Sequence, residues 1–413
     1  MAEAARRPVI VTFKRKDQRP DRARDKLDVV RSAIALDVHF FNALELHRGT
    51  SMPPGLPREL IGYDVNQFEA PIVVAALTEA EVNALRGNPN VAAVEEDAPC
   101  YALDGTPGVG TFVIEGQPML QAETVPAGVA QIKSPAAWDS SRGKAIKVAV
   151  LDTGIDGVHP DLAPNYKGGI SFVPDETSPQ DFNSHGTHCA GTIAAAINDV
   201  GVIGVAPAAY LYAVKVLNRS GSGQFSWIIA GIDWCITNGI KIISLSLGGS
   251  SAPTALETMC NTAWNRGLLI VAAAGNTGAP TAREPTSVGF PARYANVIAV
   301  SAVDSSNVIA SFSSRGPEVE LSAPGVNVLS TIPGGGYGSK SGTSMACPHV
   351  SGAAALAWGG HRYANNVTIR RLLASTSDNL GIPGRDPLYG YGRVDAEQAA
   401  TELAVPPMIA GIP

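Results

Sequence analysis

From about residue 122 to residue 400 the chain alternates short, unbroken apolar runs with helix-length stretches, and few folds accept that rhythm. KVAVLD (147–152), AAYLYAVKVL (208–217), KIISLSLGG (241–249), LLIVAAAGN (268–276), VIAVSAV (297–303) and VELSAP (319–324) read as strands. HGTHCAGTIAAAI (185–197), SWIIAGIDWCITNG (226–239) and TALETMCNTAWNRG (254–267) read as helices between them, and GTSMACPHVSGAAALAWGG (342–360) as a long, buried helix of small residues. Strands with no polar face must be covered on both sides. The fold class that follows is α/β, a parallel sheet flanked by helices on both faces through right-handed crossovers. Functional side chains then belong at the carboxyl ends of the strands.

At 413 residues, with 45% hydrophobic and 16% charged, the composition is that of a globular chain of two to three domains. Residues 8–103 form a separate unit, a small α+β domain of ferredoxin-like βαββαβ order. Its strands are 8–15, 70–77 and 91–97 and its helices 23–35 and 78–88. Thr78 and Glu81 make a capping box at the second helix, and Gly87 ends it. Residues 44–60, with the MPPGLP cluster, read as a loop inserted between the two central strands. The Gly- and Pro-rich stretch 104–121 reads as a linker and 403–413 as a loose tail, which leaves 1–103 and 122–402 as the two folded units.

Lys plus Arg minus Asp plus Glu is 31 − 37 = −6, which argues against nucleic acid as partner. The densest basic segment, Lys14, Arg15, Lys16, Arg19, Arg22, Arg24 and Lys26, is interleaved with Asp17, Asp21 and Asp25 and reads as a solvated turn and helix face. Cys100, Cys189, Cys235, Cys260 and Cys347 are odd in number and without paired spacing, so neither a disulfide framework nor a zinc site is signalled. No run reaches the roughly 18 apolar residues that a membrane span needs.

Four polar residues stand at strand or helix ends of the predicted sheet. Asp152 closes KVAVLD, His185 opens the helix after Asn183-Ser184, Asn276 follows LLIVAAAG, and Ser344 sits in GTSMA. Taken singly each has a plainer explanation: a turn-capping Asp, a packing His, an Asn in a left-handed turn, an N-cap Ser. His185 with His188 also raises a metal pair, but no third ligand or HExxH spacing accompanies it. Together they supply what acyl transfer requires: a nucleophile, a base for its proton, a carboxylate to orient the base and a donor for the oxyanion.

In VAVLDTGID, NSHGTHCAGT, SLSLGG, AAAGN and GTSMACPHVSGAAAL the chain resembles the subtilisin-like serine proteases from about residue 122 to 400. The resemblance implies Asp152 as orienting carboxylate, His185 as general base then acid, Ser344 as nucleophile and Asn276 as oxyanion donor. It implies that substrate pairs as a strand between Gly221-Ser222-Gly223 and Ser246-Leu247-Gly248, and that Gly289 floors a roomy apolar specificity pocket. Cleavage of proteins and peptides after large apolar residues follows. Residues 1–103 resemble the propeptide of that family, a folding aid and inhibitor, with self-cleavage between Leu103 and Asp104. The 44–60 segment departs from the short bacillus pattern, as does the length of 104–121. Cys189 resembles a cysteine of the proteinase K branch.

The same resemblance implies a Ca²⁺ site of Glu123, Asp161, the Asn198 side chain and the carbonyls of Ala196, Val200 and Val202. The family usually has Gln where Glu123 stands. The expected protein is a monomeric zymogen whose partners are protein and peptide substrates and its own propeptide, with no membrane or nucleic-acid partner. Export is expected from the prodomain, the alternative being the cytosol, which the absence of a signal pattern and the thiols would suit. Two other readings compete: a peptide-binding pseudoenzyme, against which the intact four residues weigh, and a nucleotide-binding Rossmann protein, which lacks GxGxxG after the first strand.

Overall fold

A computed structural model describes residues 5–15, 18–20, 25–34, 37–42, 61–65, 72–103 and 122–402. The 44–60 insertion, the linker with Asp104, and the 403–413 tail lie outside the described residues.

The N-terminal unit is a five-stranded sheet of β1 (Arg7–Phe13), β2 (His39–Asn42), β3 (Ile61–Val65), β4 (Ile72–Leu77) and β5 (Val91–Glu96), in the order β2-β3-β4-β1-β5. Val9, Val11 and Phe13 of β1 pack with Val73, Ala75 and Leu77 of β4 against Val29, Val30, Val82 and Leu85 of the helices Lys26–Ala33 and Glu79–Arg86. The alternate residues Ile10, Ile72 and Val74 join the core of the larger domain instead. Both faces are therefore covered, which explains why PVIVTF and PIVVAAL are apolar at every position but Thr12. The capping box forms, with Thr78 N donating to Glu81 Oε2 at 2.8 Å and Glu81 N to Thr78 Oγ1 at 3.3 Å.

Two expectations for this unit need correction. The sheet has an additional edge strand, β2, paired parallel with β3, and four residues are too few for a period to be read. Lys26 is not part of a solvated face. It is 4% exposed, forms an ion pair with Asp64 and donates to the Val65 carbonyl at 3.1 Å. Its partner is 38 residues away in the chain, and desolvation pulls the ammonium's pKa down despite that partner.

The larger domain carries a seven-stranded parallel sheet. After β6 (Pro99–Ala102) come β7 (Lys147–Asp152), β8 (Tyr166–Ser171), β9 (Tyr210–Lys215), β10 (Ser222–Gln224), β11 (Ile242–Leu245), β12 (Leu247–Gly248), β13 (Leu269–Ala273), β14 (Val297–Val303), β15 (Val319–Pro324), β16 (Val328–Ile332) and β17 (Gly336–Lys340). The sheet order is β15-β14-β13-β11-β7-β9-β8, with β16 and β17 forming a separate hairpin. Alternation along each strand feeds two cores. Val148 and Val150 of β7 and Leu269 and Val271 of β13 face the helices His185–Ala194 and Thr343–Gly360. Ala149, Leu151, Ile270 and Ala272 face the helices Phe225–Thr237 and Thr254–Asn265.

The α/β class and the strands 147–152, 297–303 and 319–324 stand as the sequence predicts. The helix expected over 185–197 ends at Ala194. Strand β8 (YKGGIS) and the hairpin were not foreseen, because glycine dilutes their apolar period, and the helices Asn366–Ser375 and Ala396–Thr401 were also missed.

The two domains share helix caps. Neither Gln224 nor Pro253 gives a side-chain cap to the helix that follows it. Asp97 Oδ1 accepts from Ser226 N at 2.9 Å, and Glu95 accepts from Thr254 N at 2.9 Å and Ala255 N at 3.3 Å. Carboxylates of the N-terminal unit thus meet the free N–H groups and positive ends of two helices in the other domain. Burial pushes the Asp97 carboxyl up to about 6 against the hydrogen bonds from Ser226.

Candidate active site

The chain order reverses between β7 and β11, so the crevice above their carboxyl ends is where this sheet can hold a ligand. Asp152 closes β7, and His185 begins the helix beside it. The fully buried imidazole meets the carboxylate through Nδ1, at 2.7 Å from Asp152 Oδ1 and 2.9 Å from Oδ2. The helix comes this close because residue 186 is glycine: a Cβ there would stand 2.1 Å from the Gly154 carbonyl oxygen.

The neighbouring loop is held by Asp181, a residue the sequence reading passed over. Its Oδ1 accepts from Asn183 N (2.8 Å), Ser184 N (3.0 Å) and Thr153 Oγ1 (2.9 Å), and its Oδ2 from Thr187 N (2.9 Å) and Thr187 Oγ1 (2.7 Å). Its only sequence signal is an Asp two residues before an Asn, which alone suggests no more than a turn.

Ser344 is the second residue of the long helix. Its hydroxyl donates to the Ser246 carbonyl at 2.8 Å, and Ser246 Oγ donates to the Ser344 carbonyl at 2.9 Å. Asn276 does not adopt the left-handed turn expected of it alone; Gly275 takes the positive φ of 120° instead. The Asn276 side-chain oxygen accepts from Thr343 N at 3.0 Å and Thr343 Oγ1 at 2.9 Å, which leaves the amide N–H₂ pointing into the crevice.

That amide meets the chain's own backbone. Asn276 Nδ2 donates to the Leu103 carbonyl at 2.6 Å. Strand β6 lies antiparallel between β10 and β12, with Cys100 opposite Gly223, Tyr101 opposite Ser222 and Gly248, and Ala102 opposite Leu247. Ala102 N donates to the Gly221 carbonyl at 2.9 Å and Leu103 N to the Ser246 carbonyl at 3.2 Å. Both predicted edges are thus occupied by residues 99–103. Leu103 Cδ1 lies 3.2 Å from where a Cβ on Gly248 would be, and Gly289 N donates to the Ala274 carbonyl at 2.9 Å on the adjoining backbone. Cys100 is fully buried beside Gly223, and Tyr101 is half exposed.

A profile of the subtilase family matches residues 143–392. The chain belongs to the subtilase family. Subtilisin E of Bacillus subtilis is 48% identical over 328 residues, 79% of this chain and 80% of that one. The subtilisin of Bacillus pumilus is 52% identical over 281 residues, 68% of this chain and 100% of that one. An alkaline protease of Shouchella clausii is 47% identical over 337 residues, 81% of each chain. This subtilase is a subtilisin-like serine endopeptidase. Among its described residues no helix is long and apolar enough to cross a membrane.

Two histidines of the subtilase serve packing. His188 Nε2 lies 2.9 Å from the Val328 carbonyl and 3.1 Å from that of Gly338, and burial pulls its pKa to about 3, so it stays neutral. His349 Nδ1 lies 2.8 Å from the Met345 carbonyl, and burial pulls it to about 4. The His185–His188 metal pair therefore does not form; His188 turns to the hairpin.

Of the residues named for calcium, Glu123, Asp161, Asn198 and Val202 are linked by hydrogen bonds. Glu123 Oε1 accepts from Asn198 N at 2.6 Å and Asp199 N at 3.1 Å, and Asp161 Oδ2 from Val202 N at 2.9 Å. Asn198 Nδ2 donates to Asp161 Oδ1 at 3.3 Å, and Thr124 pairs with Val202. Two carboxylates and an amide supply the kind of oxygen donors that fit Ca²⁺ once the Asn198 oxygen turns inward.

Cys189 lies one helical turn below His185. Its Sγ is 3.5 Å from the Ser344 carbonyl oxygen, and ligand atoms of Asp152, His185 and Cys189 all lie within 4.8 Å of one another. Burial pushes the thiol well above its ordinary pKa, so at rest it is a small core residue. A mercurial adduct has no room there and must displace the imidazole or the Ser344 backbone. Inhibition by mercurials is therefore expected, and Cys189→Ala should relieve it while keeping activity. Full sensitivity in Cys189→Ala that disappears in Cys347→Ala would move the effect to the long helix.

Proposed function

We propose that this subtilase is made as a zymogen that cuts itself between Leu103 and Asp104, and that residues 1–103 then stay in the cleft as a product-like inhibitor. The observation that carries this reading is the Leu103 carbonyl on the Asn276 amide, at the end of a strand held on both edges. In the reaction Ser344 Oγ attacks the carbonyl carbon and His185 takes its proton. Asp152 holds the Nδ1–H tautomer and stabilises the imidazolium, which next protonates the leaving amine. Negative charge on the former carbonyl oxygen develops where Asn276 Nδ2 already points. Water deacylates Ser344 by the same base.

The substrate class is an extended peptide, bound mainly through its backbone by Gly221–Gly223 and Ser246–Gly248. A large apolar residue precedes the cut, because Leu103 Cδ1 lies 3.2 Å from the Cβ position that Gly248 leaves empty. The experiment is mass spectrometry of the first products of the purified full-length chain. Asp104 is expected as the new N-terminus, and a first cut near Leu120 would refute the assignment. The precursor arrangement belongs to an exported protease.

Calcium is assigned to the loop 196–202, held by Glu123, Asp161, Asn198 and the carbonyls of Ala196, Val200 and Val202. The ion supplies no chemistry to the cleft; its charge ties together segments distant in sequence. Held at 100 times its dissociation constant, it adds about 2.7 kcal/mol to the stability of the mature domain. Excess chelator should therefore lower the melting temperature, and an unchanged value would remove this site.

A further inference from the structure

Lys215 is fully buried at the end of β9, directly in register with Asp152 on β7. Its ammonium donates to the Thr153 carbonyl and pairs with Glu176 Oε2 at 3.0 Å. Burial works against the Glu176 carboxylate, but hydrogen bonds from Arg219 and Lys215 outweigh it and hold its pKa below the ordinary value, so the carboxylate stays charged at neutral pH. Stability alone gives no reason for it. A buried ion pair returns roughly what its desolvation costs, and apolar residues of the same volume often do as well.

Its place in the hydrogen-bond chain supplies a reason. Thr153 N donates to Asp152 Oδ1 at 2.7 Å, and Thr153 Oγ1 accepts at 2.9 Å from the N–H of Gly186, the residue after His185. With its hydroxyl on Asp181 and its carbonyl on Lys215, this one residue is held at every polar atom. On the other side, Glu176 Oε1 accepts from Arg219 N at 2.9 Å and Nε at 3.3 Å. Arg219 stands two residues before Gly221, whose carbonyl receives the Ala102 N–H, and its own carbonyl accepts from Asn183 Nδ2 at 2.9 Å. A continuous chain of bonds thus runs from the substrate-binding edge through Glu176, Lys215 and Thr153 to Asp152.

We propose that Lys215 and Glu176 are positioning residues for peptide hydrolysis: the pair fixes the Thr153 peptide, and with it the Asp152–His185 contact, in register with the edge strand that receives substrate. The inference rests on the triad proposed above. Neither residue touches substrate; each acts through Thr153 or Arg219.

The test uses the full-length chain carrying Lys215→Met, Glu176→Gln or the double change Lys215→Met/Glu176→Met, with mature enzyme counted by active-site titration. Lys215→Met is expected to lower kcat about 10- to 100-fold with little change in KM, the scale on which small misplacements act. The acid limb of kcat/KM should move to higher pH, because a buried cation no longer opposes protonation of His185. Glu176→Gln should raise KM more for peptides long enough to reach residues 221–223 than for short ones. The effects of the two residues should be non-additive, as for members of one chain of contacts.

Lys215→Met leaves the Glu176 carboxylate buried without its lysine partner, which by itself opposes folding, whereas the double change buries no lone charge and is read by the same criteria. An unchanged kcat and pH profile in the double variant, with only the melting temperature moved, overturns the proposal whatever the single variants do. Failure of the triad itself would appear elsewhere, as retained activity in Ser344→Ala, which no Lys215 variant can mimic.

Discussion

Ser344→Ala is expected to yield an uncut, folded 413-residue chain whose peptide hydrolysis is lowered on the order of 10⁶-fold, the scale the removal of a subtilisin nucleophile reaches. Folding should survive because the substitution removes one hydroxyl and one hydrogen bond, that to the Ser246 carbonyl. Such a bond contributes about 1 kcal/mol net, and the Ser246 carbonyl keeps the Leu103 N–H as donor. The check is intact mass and circular dichroism of the purified variant, followed by assay with a chromogenic peptide. Maturation of that variant in isolation would show that another residue attacks the bond. Hydrolysis by the unmodified chain also separates an enzyme from a cleft that only binds peptides.

Asn276→Leu should lower kcat about 10²- to 10³-fold, or about 2.7–4 kcal/mol of transition-state stabilisation, a range that itself comes from the corresponding change in a subtilisin. KM should move little. The amide is pre-aimed by Thr343, which bonds its oxygen from both backbone and hydroxyl, so no reorganisation accompanies the reaction. Its 2.6 Å contact with the Leu103 carbonyl puts a donor on the oxygen where the proposed reaction develops charge. Leucine keeps the branched shape but removes both the donor and the oxygen that Thr343 holds. Steady-state kcat and KM, measured separately, decide the matter: a change confined to KM would make Asn276 a ground-state binder. Self-cleavage should slow by the same factor if the 103–104 bond is the first substrate, as proposed above.

Because the two domains share caps and core, the N-terminal unit reads as part of the larger fold. Glu95 and Asp97 close helices that the protease sequence leaves uncapped, and Ile10, Ile72 and Val74 fill a face of its second core. The larger domain by itself lacks both.

What the sequence determined by itself was local or repetitive. Strand runs with no polar face required a sheet covered twice, and this follows from period alone. The capping box at Thr78 and Glu81 spans three residues and needs no tertiary partner. The four polar residues could be picked out because each follows an apolar run or opens a small-residue helix, where side chains must emerge from a sheet. Their roles came from motif resemblance, and the structure supplied the Asp152–His185 and Asn276–Leu103 distances.

Only tertiary structure decided the long-range polar contacts. Lys26 reads as a surface lysine until Asp64, carried in on another strand, buries it. Lys215 sits in an apolar strand with no sign that Glu176, 39 residues earlier, will meet its charge. Asp181, Glu95 and Asp97 look like ordinary acidic loop and strand-end residues, yet each satisfies backbone N–H groups that the fold leaves open. The reason is common to all of them. Apolar burial is summed over area and leaves a periodic trace in the chain, whereas a hydrogen bond depends on two groups meeting within about 3 Å. Which groups meet is set by the packing of whole elements, and that information is not written at either residue.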